Sequence, residues 1–137
     1  MIIQRKIQPQ VEDALFKGKI VVIYGPRQVG KTTLAKLILQ NRQEIKSAYF
    51  NCDEPDICQA LTDKTSTELK LFLGDSKLVV LDEAQRVKNI GLTLKLLADN
   101  YPKMQIIATG SSSFDLSNQI FEPLTGRKKE FYLYPFS

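Results

Sequence analysis

Gly25-Pro26-Arg27-Gln28-Val29-Gly30-Lys31-Thr32 is a complete G-x-x-x-x-G-K-[ST] phosphate-binding loop. The apolar run Ile20-Val21-Val22-Ile23-Tyr24 precedes it, and a helix-patterned run opening with Thr33 and Leu34 follows. A strand before and a helix after form the setting in which such a loop holds a nucleoside triphosphate. Glycines at 25 and 30 let the backbone turn successive N–H groups onto a phosphate, through conformations closed to residues with a Cβ. The helix that starts near Lys31 adds its positive dipole end and its unpaired N–H groups.

The residue types assign the chemistry. Lys31 is expected to reach the β- and γ-phosphates as a point charge, and the Thr32 hydroxyl to ligate Mg²⁺. Pro26 fixes one φ angle and stiffens the loop. Arg27 and Gln28 fill variable positions. The expected nucleotide contacts are Gly25, Pro26, Arg27, Gln28, Val29, Gly30, Lys31, Thr32 and Thr33. A plain glycine-rich turn capping a helix is the alternative, but it needs neither the lysine nor the hydroxyl.

With 137 residues, 43% hydrophobic and 25% charged, the chain reads as one soluble domain. No apolar stretch approaches the ~18 residues that span a bilayer. The amino terminus lacks the layout of a secretion signal, so a cytoplasmic location and no membrane partner are expected. The net charge of +4 comes from dispersed basic residues, with small clusters at Arg5-Lys6, at 17–19 and at Arg127-Lys128-Lys129. That leaves a nucleic-acid partner open beside plain solvation.

Cys52 and Cys58 stand in a chain without histidine. Their spacing fits neither a zinc knuckle nor a C-x-x-C redox pair, so free thiols are expected. The missing histidine also removes every imidazole base, and hydrolytic chemistry must then run through carboxylates.

Hydrophobic periodicity supplies the frame. A short first helix is expected around Val11, Ala14 and Leu15, with Pro9 in its first turn. Strands are expected at 19–24, 47–51, 77–82, 104–109 and 130–134. Helices are expected at 33–40, 65–73, 90–101 and 114–121, with a turn or helix start at Asp53-Glu54-Pro55-Asp56. Thr67 with Lys70 reads as a loose cap on the helix at 65–73. Alternating strands and helices argue for a parallel sheet covered on both faces.

The third strand, Leu78-Val79-Val80-Leu81, ends in Asp82-Glu83. Alone this is a common acidic turn; behind a phosphate loop it gains a role. Asp82 is expected to hold Mg²⁺ opposite Thr32, and Glu83 to polarise the attacking water. A GTPase would offer D-x-x-G here and N-K-x-D later, whereas this chain has Asp82-Glu83-Ala84-Gln85 and no N-K-x-D. A small-molecule kinase usually lacks the adjacent glutamate, and LSGGQ is absent. ATP is preferred by exclusion.

GPRQVGKT, LVVLDEAQ, IIATGSSS and LTGR with FYLYPFS together resemble the prokaryotic AAA-type P-loop ATPases, over nearly the whole chain. The resemblance is closest to the group in which this domain precedes a poorly characterised second domain. It labels the phosphate-binding loop Walker A and the acidic strand end at Asp82-Glu83 Walker B. It implies a P-loop NTPase three-layer α/β sandwich: a five-stranded parallel sheet of order 5-1-4-3-2 with helices on both faces. It implies Ser111 as the polar sensor of the γ-phosphate or the water, with Thr109 as the fallback and a serine-rich turn as the bland reading. It implies Arg127 as an arginine finger, in cis or from a neighbouring subunit, unless Arg127-Lys128-Lys129 is a solvated loop. Gln85 is a candidate bridge from nucleotide state to a partner surface.

Relatives of this kind continue into a helical lid and a second domain. Residues 1–137 are therefore expected to be a single ATPase core domain, an N-terminal fragment with weak affinity and slow turnover. The leading functional reading is an Mg-ATP hydrolase that drives an attached domain or a protein partner, with oligomers open. A non-catalytic ATP-dependent switch is the main rival, and a small-molecule phosphotransferase a lesser one.

Overall fold

The computed structural model describes residues 2–26, 30–111 and 113–133, without side chains for residues 2–6, 113 and 114. Among the described residues five segments become strands: β1 Ile20–Tyr24, β2 Ser47–Asn51, β3 Leu78–Asp82, β4 Gln105–Gly110 and β5 Lys128–Tyr132. All adjacent pairs are parallel, and the order is β2-β3-β4-β1-β5. That is the expected 5-1-4-3-2 arrangement read from the other edge. The inner strands β1, β3 and β4 are buried along their whole length, as a sheet covered on both faces requires.

Six α-helices among the described residues supply the cover: α1 Ile2–Asp13, α2 Lys31–Gln40, α3 Pro55–Leu61, α4 Ser66–Leu73, α5 Ile90–Asn100 and α6 Ser113–Ile120. Strand side chains alternate between two cores. Val21, Ile23, Leu78 and Val80 pack with Val11 of α1 and Leu34 and Ile38 of α2. Ile20, Val22, Val79 and Leu81 face the other way, against Leu69 of α4, Leu94 of α5 and Leu116 of α6. Each fully buried leucine or valine contributes about 1.5–3 kcal/mol relative to exposure.

Local details depart from the sequence expectations. α1 begins at Ile2, which puts Pro9 inside the helix rather than in its first turn. The cap of α4 is Thr65 with Glu68, not Thr67 with Lys70. Thr65 Oγ1 accepts from Glu68 N at 3.1 Å, and Glu68 returns a carboxylate oxygen to Thr65 N at 2.9 Å. This reciprocal box satisfies two donors that a lysine could not. β5 starts at Lys128, two residues early, because Lys128 pairs with Ile20 and sets the register along β1. Tyr134 lies outside the described residues.

Candidate nucleotide site

In a parallel sheet the carboxyl ends of neighbouring strands open onto one crevice, where ligands bind. β1 delivers Gly25 and Pro26 there, β3 delivers Asp82 and Glu83, and β4 delivers Thr109, Gly110 and Ser111. The loop start is tied across the sheet, with Gly25 N donating to Gly110 O at 3.1 Å. Gly30 caps α2 with φ 88°, a left-handed conformation that a side chain would strain. Arg27, Gln28 and Val29 lie outside the described residues. Thr33 is exposed on the first turn of α2.

Lys31, the first residue of α2, is only 1% exposed. Its Nζ lies 3.6 Å from Glu83 Oε2 and donates to Pro26 O at 3.3 Å. Glu83 is buried too and has φ 57°, a left-handed conformation rare for a residue with a side chain. Such strain persists only where the surroundings impose it, and here it turns the carboxylate towards Lys31.

Asp82 sits beside it with a different set of partners. Thr32 Oγ1 donates to Asp82 Oδ2 at 2.6 Å. The Tyr49 hydroxyl donates to the same oxygen, and Thr109 Oγ1 donates to Asp82 Oδ1. Burial pushes the Asp82 pKa upward, but the hydroxyls of Thr109, Thr32 and Tyr49, with the Lys31 charge, outweigh it. The carboxyl is held below the ordinary aspartate value. Tyr49 shifts upward, mainly through burial and then through its bond to Asp82.

Thr109 joins the two acids, since its hydroxyl also accepts from Glu83 N at 3.1 Å. Ser111 N donates to Glu83 Oε1 at 3.2 Å. Gln85, in a 3₁₀ turn at Ala84–Arg86, donates through one amide nitrogen to Glu83 Oε1 at 2.9 Å and to Ser111 Oγ at 3.0 Å. The Gln85 backbone carbonyl accepts from Gln119 Nε2 of α6 at 3.2 Å. The Gln85 side-chain amide lies close against Gly110. A Cβ there would fall 2.8 Å from Leu116 Cδ2 and 3.1 Å from Gln85 Oε1.

The structure therefore brings Gly25, Pro26, Gly30, Lys31, Thr32, Asp82, Glu83, Thr109 and Ser111 to one end of the sheet. It does not bring Arg127. That residue precedes β5, and its carbonyl accepts from Ile20 N at the opposite end of β1. Four strand steps and a turn separate it from the loop by roughly 15 Å. Its guanidinium is bonded to Asp99 at 2.8 Å. The expectation of an arginine finger in cis is corrected accordingly; only a reach into a neighbouring subunit's site survives.

Two contacts went unread in the sequence. Tyr49 belongs to a strand whose register, Tyr49 opposite Val80, puts it on the same face as Asp82. Period two along β3 would have shown that face, but not which neighbouring strand supplied the hydroxyl. Gln85 stands out in the sequence by its place beside the acidic pair, yet its grip on Glu83 needs the tight turn that the fold supplies. Cys52 and Cys58 are free thiols, and burial pushes Cys52 up to about 12.

The donor set suits Mg²⁺. A hydroxyl and a carboxylate, both hard oxygen groups, face each other at one edge of the crevice.

A profile of the family described as AAA domain matches residues 17–137. The chain is 33% identical over 130 residues to the uncharacterized protein Rv2008c of Mycobacterium tuberculosis, covering 93% of this chain and 28% of that one. It is 31% identical over 133 residues to the uncharacterized protein MJ1544 of Methanocaldococcus jannaschii, covering 96% and 30%. Thus it spans under a third of the length of these curated relatives. Among solved structures, it resembles the Walker-type ATPase paby2304 of Pyrococcus abyssi, with a TM-score of 0.63 and 18% identity over 99% of this chain and 53% of that one. A chain of Drosophila ORC bound to AT-rich DNA and Cdc6 gives a TM-score of 0.67 at 12% identity, over 98% and 56%. The RuvB branch migration motor of Thermotoga maritima gives 0.60 at 19%, over 97% and 44%. At these identities the likeness is one of fold.

Proposed function

The chain belongs to the AAA domain family of P-loop ATPases, and from that premise we propose that it binds Mg-ATP, hydrolyses it, and passes the nucleotide state to an attached or partner domain. The observation that carries this reading is the pairing of two couples side by side: Lys31 with Glu83, and Thr32 with Asp82. The first couple is a cation for the γ-phosphate and a base for water. The second is a pair of oxygen ligands for the metal.

Arrival of a phosphate gives Lys31 a stronger anion than Glu83. Glu83 Oε2 is then left to accept a proton from the attacking water, while its Oε1 stays bonded to Ser111 N and Gln85. The Ser111 hydroxyl oxygen accepts from Gln85, so its proton is free to point at the γ-phosphate or the water. Asp82, held charged by its three hydroxyl donors, and Thr32 would hold Mg²⁺. Bound metal supplies neutralisation of the charge on the β- and γ-phosphates. Adenine is preferred because no guanine-reading motif is present in the sequence.

The first test is calorimetric titration with ATP and GTP, each with and without Mg²⁺, on the wild type and on Lys31→Ala. Mg²⁺-dependent ATP binding that is lost in Lys31→Ala supports the site. Equal binding of GTP, or ATP binding indifferent to Lys31, contradicts it. ATP-dependent partner capture without phosphate release would favour the non-catalytic switch instead.

A further inference from the structure

We propose that the amino-terminal end of the sheet, opposite the nucleotide site, is a docking surface for the phosphodiester backbone of a nucleic acid. Each of the five strands is entered through a basic residue. Lys46 immediately precedes β2, Lys77 precedes β3, Lys19 precedes β1 and Arg127 precedes β5, while Lys103 stands two residues ahead of β4. Far apart in sequence, these residues are set side by side by the parallel register.

Backbone bonds fix the row. Lys77 N donates to Lys46 O at 2.7 Å, and Gln105 N donates to Lys77 O at 2.9 Å. The Gln105 side-chain Nε2 donates to Lys19 O at 2.9 Å, and Ile20 N donates to Arg127 O at 2.8 Å. At about 4.8 Å per strand the row extends about 19 Å. That length lets the row follow several consecutive phosphates of one nucleic-acid strand.

Some of these charges are already engaged. Lys46 is paired with Asp75, Arg127 with Asp99 and the flanking Lys17 with Asp13, while Lys19 donates to Gly126 O at 3.0 Å. Lys77, Lys103 and Lys129 are exposed, and none has an ion pair among the described residues. They line two hollows. Lys77 and Lys103 share one of about 280 Å³ with Lys70 and Tyr101. Lys129 shares one of about 480 Å³ with Lys17, Lys19 and Phe131. A narrow cleft lined by Lys19, Pro102 and Met104 lies between them. In each hollow a lysine already lies over the ring, Lys70 over Tyr101 and Lys129 over Phe131. A base that stacks there takes the place of a cation that turns to a phosphate, an exchange an acidic peptide does not offer.

This inference does not depend on ATP hydrolysis, and its test is independent of it. A fluorescently labelled oligothymidylate of about 16 nucleotides is titrated with the chain at low salt, without nucleotide, and the anisotropy is followed as salt rises. Lys77→Glu/Lys103→Glu/Lys129→Glu is compared with Lys36→Glu/Lys64→Glu/Lys88→Glu, which makes the same change in net charge away from the rim; urea melts establish that both fold. The rim variant is expected to lose at least tenfold in affinity and about two to three units of log–log salt slope, with the control within threefold of wild type. No binding by the wild type, equal losses in both variants, or equally tight binding of a polyglutamate peptide overturns the proposal.

Discussion

Lys31 Nζ stands 3.6 Å from Glu83 Oε2, and both side chains are buried, so the two charges neutralise each other. Removing one member of such a pair leaves an uncompensated buried charge, which costs about 3–5 kcal/mol. Lys31→Met and Glu83→Gln should each lower the urea midpoint of the nucleotide-free chain. The double variant should lose less than the sum of the two. Additive losses would mean that the two groups do not interact in solution.

Gln85 holds Glu83 and Ser111 through one amide nitrogen. Gln85→Met keeps the side-chain length and removes both donors. Phosphate release should fall by about tenfold to a hundredfold, because a base displaced by an ångström loses its aim. KM for ATP should stay within about twofold, since Gln85 holds the acid and not the phosphates. A raised KM with unchanged kcat would move Gln85 from positioning the base to binding the nucleotide.

Asp82 has a folded pKa depressed below its ordinary value, with Thr109 among the donors that lower it. Its contribution to stability is complete above the unfolded-state value of about 3.9. It drains away as the pH falls through the lower, folded value. Thr109→Val deletes one donor and raises that folded pKa. The variant should therefore be less stable than wild type at neutral pH by about 1.5–3 kcal/mol. The gap should narrow as acid protonates Asp82 in both proteins. A gap constant from neutral to acid pH would show that Thr109 stabilises by packing alone.

α4 offers a test of the local reading. Thr65→Ala removes the hydroxyl that accepts from Glu68 N and should cost about 1 kcal/mol in urea melts. Thr67→Ala, at the position the sequence pattern favoured, should cost nothing and gain a few tenths of a kcal/mol, because alanine is the better helix former inside α4.

Much of the fold was legible because burial on both faces writes strands as unbroken apolar runs. Residues 20–24 and 78–82 needed no partner to be read. The phosphate loop and Asp82-Glu83 were equally plain, since each is a local word with a fixed chemistry. Strand order came from family resemblance, not from spacing. What stayed hidden is long-range. Tyr49 reaches Asp82 across a strand pairing, and Gln85 reaches Ser111 across 26 positions. Arg127 illustrates the reverse: a residue matched by motif lies at the far end of the sheet, because it precedes a strand that runs parallel to β1. The Thr65–Glu68 box was present in the sequence as T-x-x-E, and the helix start placed one residue too early obscured it.

Glu83→Gln tests the central claim most directly, with Mg-ATP binding followed by calorimetry and phosphate release measured on the same sample. The variant keeps the shape of the side chain and removes the base. The account predicts ATP affinity within a few-fold of wild type and phosphate release at least about a hundredfold slower. Hydrolysis by Glu83→Gln at the wild-type rate would contradict it.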